Sequence, residues 1–203
     1  MNEHIINSID SLTDLYGPVG DASIKKEISY LHPHYQDFIK ASPFLILATA
    51  GPDGLDASPR GDEAGFVHIA DEKTLILPDR RGNNRLDSLK NIIQNPKIAL
   101  LFLIPGLGEC LRVNGTATIS VDPELLQQFT VQHKPPQTVL IIQVETVFFQ
   151  CSRAIRRANL WDTPHPEISV PTPGRILSDL TNATIDGEKY DRELPERIKS
   201  TLY

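Results

Sequence analysis

Phe44-Leu45-Ile46-Leu47-Ala48-Thr49-Ala50-Gly51-Pro52-Asp53-Gly54-Leu55-Asp56-Ala57-Ser58-Pro59-Arg60 is the stretch on which the fold turns. Residues 44–50 form an apolar run with aromatic and β-branched members, the side chains that fill a pleated, half-buried surface. Gly51-Pro52-Asp53-Gly54 follows, a strong turn signal because each residue type suits a reversal for its own reason. Residues 55–60 then return as the second strand of a hairpin.

The same pattern recurs downstream. Residues 66–69 and 74–77 read as a pair linked by Asp71-Glu72-Lys73, and residues 97–104 and 109–121 as another joined across Pro105-Gly106-Leu107-Gly108. Residues 139–150 make a long strand rich in β-branched side chains. Asn114-Gly115-Thr116 inside one long strand fits a tight turn or a bulge. Short strands with turns at this spacing predict a mainly β, antiparallel α+β fold, a small barrel or sandwich with peripheral helices, and exclude a βαβ sheet.

Helices flank and interrupt the strands. The first forty residues read as helical. Ser23 is placed to cap a segment with Ile24, Ile28 and Leu31, and Pro33 opens a second with Tyr35, Phe38 and Ile39. Residues 83–95 carry Leu86, Leu89 and Ile93 at i, i+3 and i+7, an amphipathic stripe stopped by Pro96. Asp122-Pro123 starts a helix over 122–131, and residues 152–159 form another turn or two. Beyond Asp162, Pro164, Pro166, Pro171 and Pro173 crowd into ten residues, which reads as an extended arm. A short helix at 175–180 and a charged tail follow. The chain is thus one structural domain: a helical segment 1–42 packed on the barrel, a β core 43–161, and a Pro-rich arm 162–203.

The chain has 203 residues, 40% of them apolar and 23% charged, which supports a folded core. Lys plus Arg number 20 against 26 Asp plus Glu, a net charge of −6 that argues against a nucleic-acid backbone as partner. The apolar runs fall far short of the roughly 18 residues of a membrane helix, and residues 1–14 lack the basic and apolar regions of a signal peptide. Two cysteines, Cys110 and Cys151, form no CxxC and read as small core residues. The expectation is a protein of the cytoplasm with no membrane association. His4, His32, His34, His68, His133 and His165 fall in no HExxH and show no metal-ligand spacing, so no metal site is expected. Neither GxSxG nor a strand-following GxGxxG is present.

Chemistry concentrates where arginine does. Leu77-Pro78-Asp79-Arg80-Arg81-Gly82-Asn83-Asn84-Arg85-Leu86 runs from a strand end through a turn into the amphipathic helix. The first N–H groups of a helix lack internal partners and sit at the positive end of its dipole, so arginines gathered there suit a phosphate. Asn83 or Asn84 is placed to cap that helix. A solvated basic turn with an Asn cap explains the same residues. Ala57-Ser58-Pro59-Arg60-Gly61-Asp62 adds Ser58, Arg60 and the Gly61 backbone at another strand end, or else an arginine paired with Asp62 or Glu63. Cys151-Ser152-Arg153-Ala154-Ile155-Arg156-Arg157-Ala158-Asn159-Leu160-Trp161 is a third basic cluster, with the only tryptophan. Glu109 and Arg112 either pair with each other or reach the pocket. Three basic clusters in an acidic chain point to a small anionic ligand.

These segments, in this order, resemble the FMN-binding split barrel of the pyridoxamine 5′-phosphate oxidase superfamily, and more narrowly its branch of FMN-dependent enzymes. The resemblance rests on Ser42-Pro43-Phe44, the two segments around Ser58 and Asp79, Asn95-Pro96, Pro105-Gly106, Glu109 to Gly115, and Cys151 to Asp162. It covers residues 42–162. It implies a homodimer with two FMN at the subunit interface, acting as an oxidoreductase on a small molecule. Ser58-Pro59-Arg60 and Gly61 would run along the flavin. The segment from Leu77 and Pro78 through Asp79, Arg80, Asn83, Asn84 and Arg85 would hold its phosphate, with Arg80, Asn84 and Arg85 foremost. Cys151, Arg153, Arg156 and Trp161 would reach over from the partner. The chain departs from the branch at Arg153, where lysine is commoner, and lacks the Trp- and Arg-containing C-terminal signature of true pyridoxamine phosphate oxidases, so vitamin B6 synthesis is not implied. A flavin carrier or redox sensor without turnover, the same fold holding haem or a deazaflavin, or a structural remnant with an empty pocket are the alternatives.

Overall fold

In the computed structural model, which describes residues 4–162 and 169–203, three short helices precede the β structure: α1 (Ile9–Tyr16), α2 (Asp21–Lys25) and α3 (Pro33–Ala41). Pro33 stands in the first turn of α3, where its missing N–H costs nothing. Strands β1 (Phe44–Gly51), β2 (Gly54–Gly61), β3 (His68–Ile69) and β4 (Thr74–Asp79) follow, then α4 (Asp87–Gln94). Next come β5 (Lys97–Leu103), β6 (Cys110–Ser120), α5 (Pro123–Gln128), β7 (Thr138–Gln150) and α6 (Arg153–Arg157). Helices α7 (Pro173–Leu180) and α8 (Gly187–Ser200) end the described chain.

All seven strands join one antiparallel sheet in the order β2-β1-β5-β6-β7-β4-β3, the split barrel expected, with the barrel left open. The β1–β2 hairpin pairs Phe44 with Gly61 through to Gly51 with Gly54, as the Gly-Pro-Asp-Gly turn requires. Pro59 is tolerated because β2 is an edge strand, and Pro78 because β3 has ended before reaching it. The alternation of β1 and β5 sends Leu45, Leu47, Leu100 and Phe102 inward, where they meet Leu75, Leu77, Leu111, Val113, Leu140 and Ile142. Burying each such side chain stabilises by about 1.5–3 kcal/mol relative to exposure. Leu31 and Ile39 close the core from the N-terminal side. The Ser42 hydroxyl, within hydrogen-bond reach of the Phe44 and Leu103 carbonyls (2.7 and 2.8 Å), ties the start of β1 to the end of β5.

The structure alters several local expectations. Helix α4 starts at Asp87 rather than Asn83, and its buried face is Ser88, Asn91 and Ile92, while Leu86 and Ile93 are exposed. Asn91 explains the rotation: its amide donates to Thr49 Oγ1 at 3.1 Å and fills the space over Gly51, where a Cβ would lie 2.2 Å from Asn91 Oδ1. Ser23 caps nothing; α2 begins after Gly20, and Ile28 leaves it to bridge Val147 beyond the reach of β4, with N–O distances of 3.1 and 2.8 Å. The charged tail holds the fourteen-residue helix α8, capped by Asp186. Pro164, Pro166 and His165 lie outside the described residues. Cys110 is buried as expected, with its thiol pushed up by burial and then by Glu109 and Cys151, but Cys151 is exposed. Arg112 sits over the Phe148 ring, 5.6 Å from its centroid.

The bulge anticipated at Asn114-Gly115 is present as a register shift between β6 and β7. A Cβ on Gly115 would lie 2.0 Å from the Gln143 carbonyl oxygen, so the strands approach here only because the residue has no side chain. Gly115→Ala is expected to lower stability by roughly 1–3 kcal/mol, since the backbones must part. A urea unfolding midpoint equal to that of the wild type would contradict this.

Candidate functional site

The sheet order places β2 and β4 near opposite ends of the sheet, yet their last residues meet. Two ion pairs cross this seam in reciprocal fashion. Arg60 of β2 pairs with Asp79 of β4, and Asp62, just past β2, accepts from Arg80 Nε, just past β4, at 2.6 Å. The side chains are largely withdrawn from water, at 18% and 16% exposure for the first pair and 18% and 4% for the second. Arg80 Nη1 also donates to the Phe129 carbonyl at 2.6 Å, so two of its three guanidinium nitrogens are engaged within the chain. Behind Arg60, the Ser88 hydroxyl at the start of α4 donates to Asp56.

A cleft of about 790 Å³ opens along this seam, within the size range of small-molecule sites. Ser58, Pro59, Arg60 and Gly61 form one wall, and Pro78, Asp79, Arg80, Asn83, Asn84 and Arg85 the other. Of the residues expected at the site, Leu77 is the exception on these two strands: at 1% exposure it belongs to the core. Arg60, Arg80, Arg81, Arg85 and Lys134 line the cleft against Asp56, Asp79 and Asp87, a surplus of two positive charges that Asp62 behind Arg80 reduces to one. In a chain of net charge −6 this is a local reversal of sign.

Three details make the cleft receptive to an anion. Arg60 Nε is buried and has no hydrogen-bond partner among the described residues. Asn84 and Leu86 both have left-handed backbones, with φ of 59° and 62°, a conformation costly for leucine. Leu86 precedes α4 without a side-chain cap, so the first N–H groups of the helix open onto the cleft. Asn83 does not cap the helix; its side-chain oxygen accepts from Arg85 N at 3.1 Å and shapes the turn. Arg85 is mostly exposed and leans on Asp87 at 2.7 Å. These donors suit a small anion: Arg60 Nε, the open helix terminus, and Arg81, which has no ion-pair partner among the described residues.

Cys151, Arg153, Arg156 and Trp161 do not line this cleft within the single chain. Their segment folds against the β5–β6 loop, where Gly108 gives way to Ser152 and Trp161 Nε1 donates to the Leu107 carbonyl at 2.7 Å. Arg156 and Trp161 line a separate hollow of about 340 Å³ there. Residues absent from the sequence reading also line the cleft: Lys134-Pro135-Pro136-Gln137 from the loop before β7, and Tyr203 beyond α8. The Tyr203 hydroxyl donates to Asp62 Oδ1 at 2.7 Å, and Lys134 Nζ donates to the Tyr203 main-chain oxygen at 2.8 Å. Among the described residues no group of His, Cys, Asp and Glu could hold a metal ion, and no helix is long and apolar enough to cross a membrane.

Burial pushes the Asp62 carboxyl up, but hydrogen bonds from Tyr203, the Glu63 N–H and Arg80 outweigh it and hold the group below its ordinary value. A carboxyl lowered by folding stabilises fully above its unfolded value of about 3.8 and loses that contribution as pH falls through the lower folded value. Urea midpoints are therefore expected to fall on acidification below about pH 3.8, and Asp62→Asn to flatten that fall. An acid profile unchanged by Asp62→Asn would remove the seam from the account of acid stability.

Comparison with known proteins identifies the group to which this architecture belongs. No curated protein matches the chain. Among solved structures, HupZ of Group A Streptococcus aligns over 60% of this chain and 94% of its own, with 23% identity and a TM-score of 0.49. General stress protein 26 of Bacillus anthracis aligns over 56% and 88%, with 19% identity and a TM-score of 0.43. An FMN-binding protein of Syntrophomonas wolfei aligns over 70% and 95%, with 10% identity and a TM-score of 0.43. The family model of pyridoxamine 5′-phosphate oxidase matches residues 31–151, from just before α3 to just past the end of β7, and the chain belongs to that family.

Proposed function

We propose that the protein binds FMN in the seam cleft and acts as an FMN-dependent oxidoreductase on a small-molecule substrate. The observation that carries the reading is the buried, unpartnered Arg60 Nε in a cleft whose local charge opposes that of the chain. A phosphomonoester is the group that would satisfy it, and family membership supports a flavin as the molecule bearing it. Arg81 and Arg85 would take the phosphate together with the α4 N-terminus, Arg85 by turning away from Asp87. Ser58, Pro59 and Gly61 would offer backbone groups to the polar edge of the ring. When bound, FMN supplies hydride or single-electron chemistry; the chain's part is to fix its orientation, neutralise its phosphate and set the charge around its ring.

The proposal includes a homodimer in which the partner subunit's Arg153, Arg156 and Trp161 complete the site. The amphipathic helix α1 supports a second copy: it buries none of its own residues, and Ile9, Leu12, Leu15 and Tyr16 are exposed together, an apolar surface that a monomer would rarely leave uncovered.

Titration of purified protein is expected to show FMN binding well ahead of riboflavin, and Arg85→Ala is expected to weaken FMN by roughly tenfold or more through loss of a charge-assisted contact. Equal affinity for the two flavins would overturn the phosphate site. Sustained oxidation of NAD(P)H or a reduced dye by the FMN-loaded protein would establish turnover. Tight FMN binding without turnover across a panel of reductants would assign a carrier or sensor instead.

A further inference from the structure

Helices α7 and α8 form a hairpin that brings the last described residue across the chain to the cleft. The two helices touch at Gly174 and Gly187, where a Cβ on either would lie 2.1 or 2.3 Å from the other's carbonyl oxygen. Asp191 of α8 fastens the start of α7, accepting from Gly174 N at 2.7 Å and from the Thr172 hydroxyl at 2.5 Å. Tyr203, three residues beyond the end of α8, reaches the cleft from this pair. Tyr203 is held at both ends: its hydroxyl donates to Asp62, its main-chain oxygen accepts from Lys134, and the Arg80 guanidinium lies 5.9 Å from its ring centroid.

Asp62 has two oxygens and spends them differently. Oδ2 holds Arg80 Nε, while Oδ1 accepts from the Glu63 N–H at 2.8 Å and from Tyr203 at 2.7 Å. Without the phenol, Oδ1 would keep only the Glu63 N–H, and the Asp62–Arg80 pair would lose the hydrogen bond that ties it to the C-terminal residue. We propose that Tyr203 is a positioning residue for the anion site: it fixes Asp62, through Asp62 it aims Arg80 into the cleft, and with Lys134 it straps the cleft mouth shut over a bound phosphomonoester. This rests on the proposed FMN site and adds to it the element that sets selectivity for the phosphate and slows its release.

The test compares FMN with riboflavin on the full chain for wild type, Tyr203→Phe, Tyr203→Ala and Leu202→Ala, by titration and by stopped-flow dissociation. Tyr203→Phe keeps the ring and loses only the hydroxyl, so it is expected to lower the preference for FMN over riboflavin about fivefold, with the thermal midpoint lowered no more than the loss of one hydrogen bond to Asp62 entails. Tyr203→Ala is expected to lower it at least as far and to speed FMN release, whereas Leu202→Ala, an exposed neighbour, matches wild type. Wild-type selectivity and release in both Tyr203 variants would overturn the positioning role while leaving the FMN site standing. A wild type that binds neither flavin would overturn the site and this role together.

Discussion

Two ion pairs set crosswise, Arg60 with Asp79 and Asp62 with Arg80, close a barrel that its hydrogen-bond ladders leave open. Each strand end contributes one acid and one base in alternation, so the seam is neutral as a unit and neither strand can slide without stranding a partly buried charge. Removing one partner from such a pair is costly because the other is left unpaired away from water. The arrangement also explains why a cleft exists here. Side chains rather than backbone span the gap, and side chains leave room between them. The cleft is therefore a by-product of how the fold closes.

What the sequence made legible was whatever depends on neighbours in the chain. The Gly51–Gly54 turn, the Pro33 and Asp122-Pro123 helix starts and the bulge at Gly115 all act within a few residues, and each is where the pattern put it. The arginine-bearing strand ends were legible as chemistry, since clustered guanidinium groups in an acidic chain require a reason. Their pairing was not. Arg60 faces Asp79 across strands that are not sheet neighbours, and nothing in the spacing distinguishes this from the adjacent Asp62 or Glu63. The phase of α4 escaped for a different reason: a polar residue, Asn91, is buried because it bonds to Thr49, so apolar periodicity pointed at the wrong face.

Long-range placement accounts for the remainder. Tyr203 lies 141 residues from the aspartate that it contacts, and Lys134 sits in a loop whose Pro135-Pro136 gave no hint of a ligand. Helix α8 was read as a charged tail because its composition is dominated by ionised side chains; Asp186 caps its start and Asp191 ties it to α7. The third basic cluster illustrates the limit of argument from one chain. Trp161 is committed to the Leu107 carbonyl and Arg156 to Ser152, which holds both at the β5–β6 loop and away from the seam cleft of their own chain.

Amide hydrogen exchange with and without FMN reads the seam directly. If one phosphate is gripped from both sides, FMN slows exchange together in residues 54–62 and 78–89, on the two sheet ends that share no ladder. FMN that binds but protects only one of these segments, or only the hollow around residues 155–162, would contradict an anion site built across the seam.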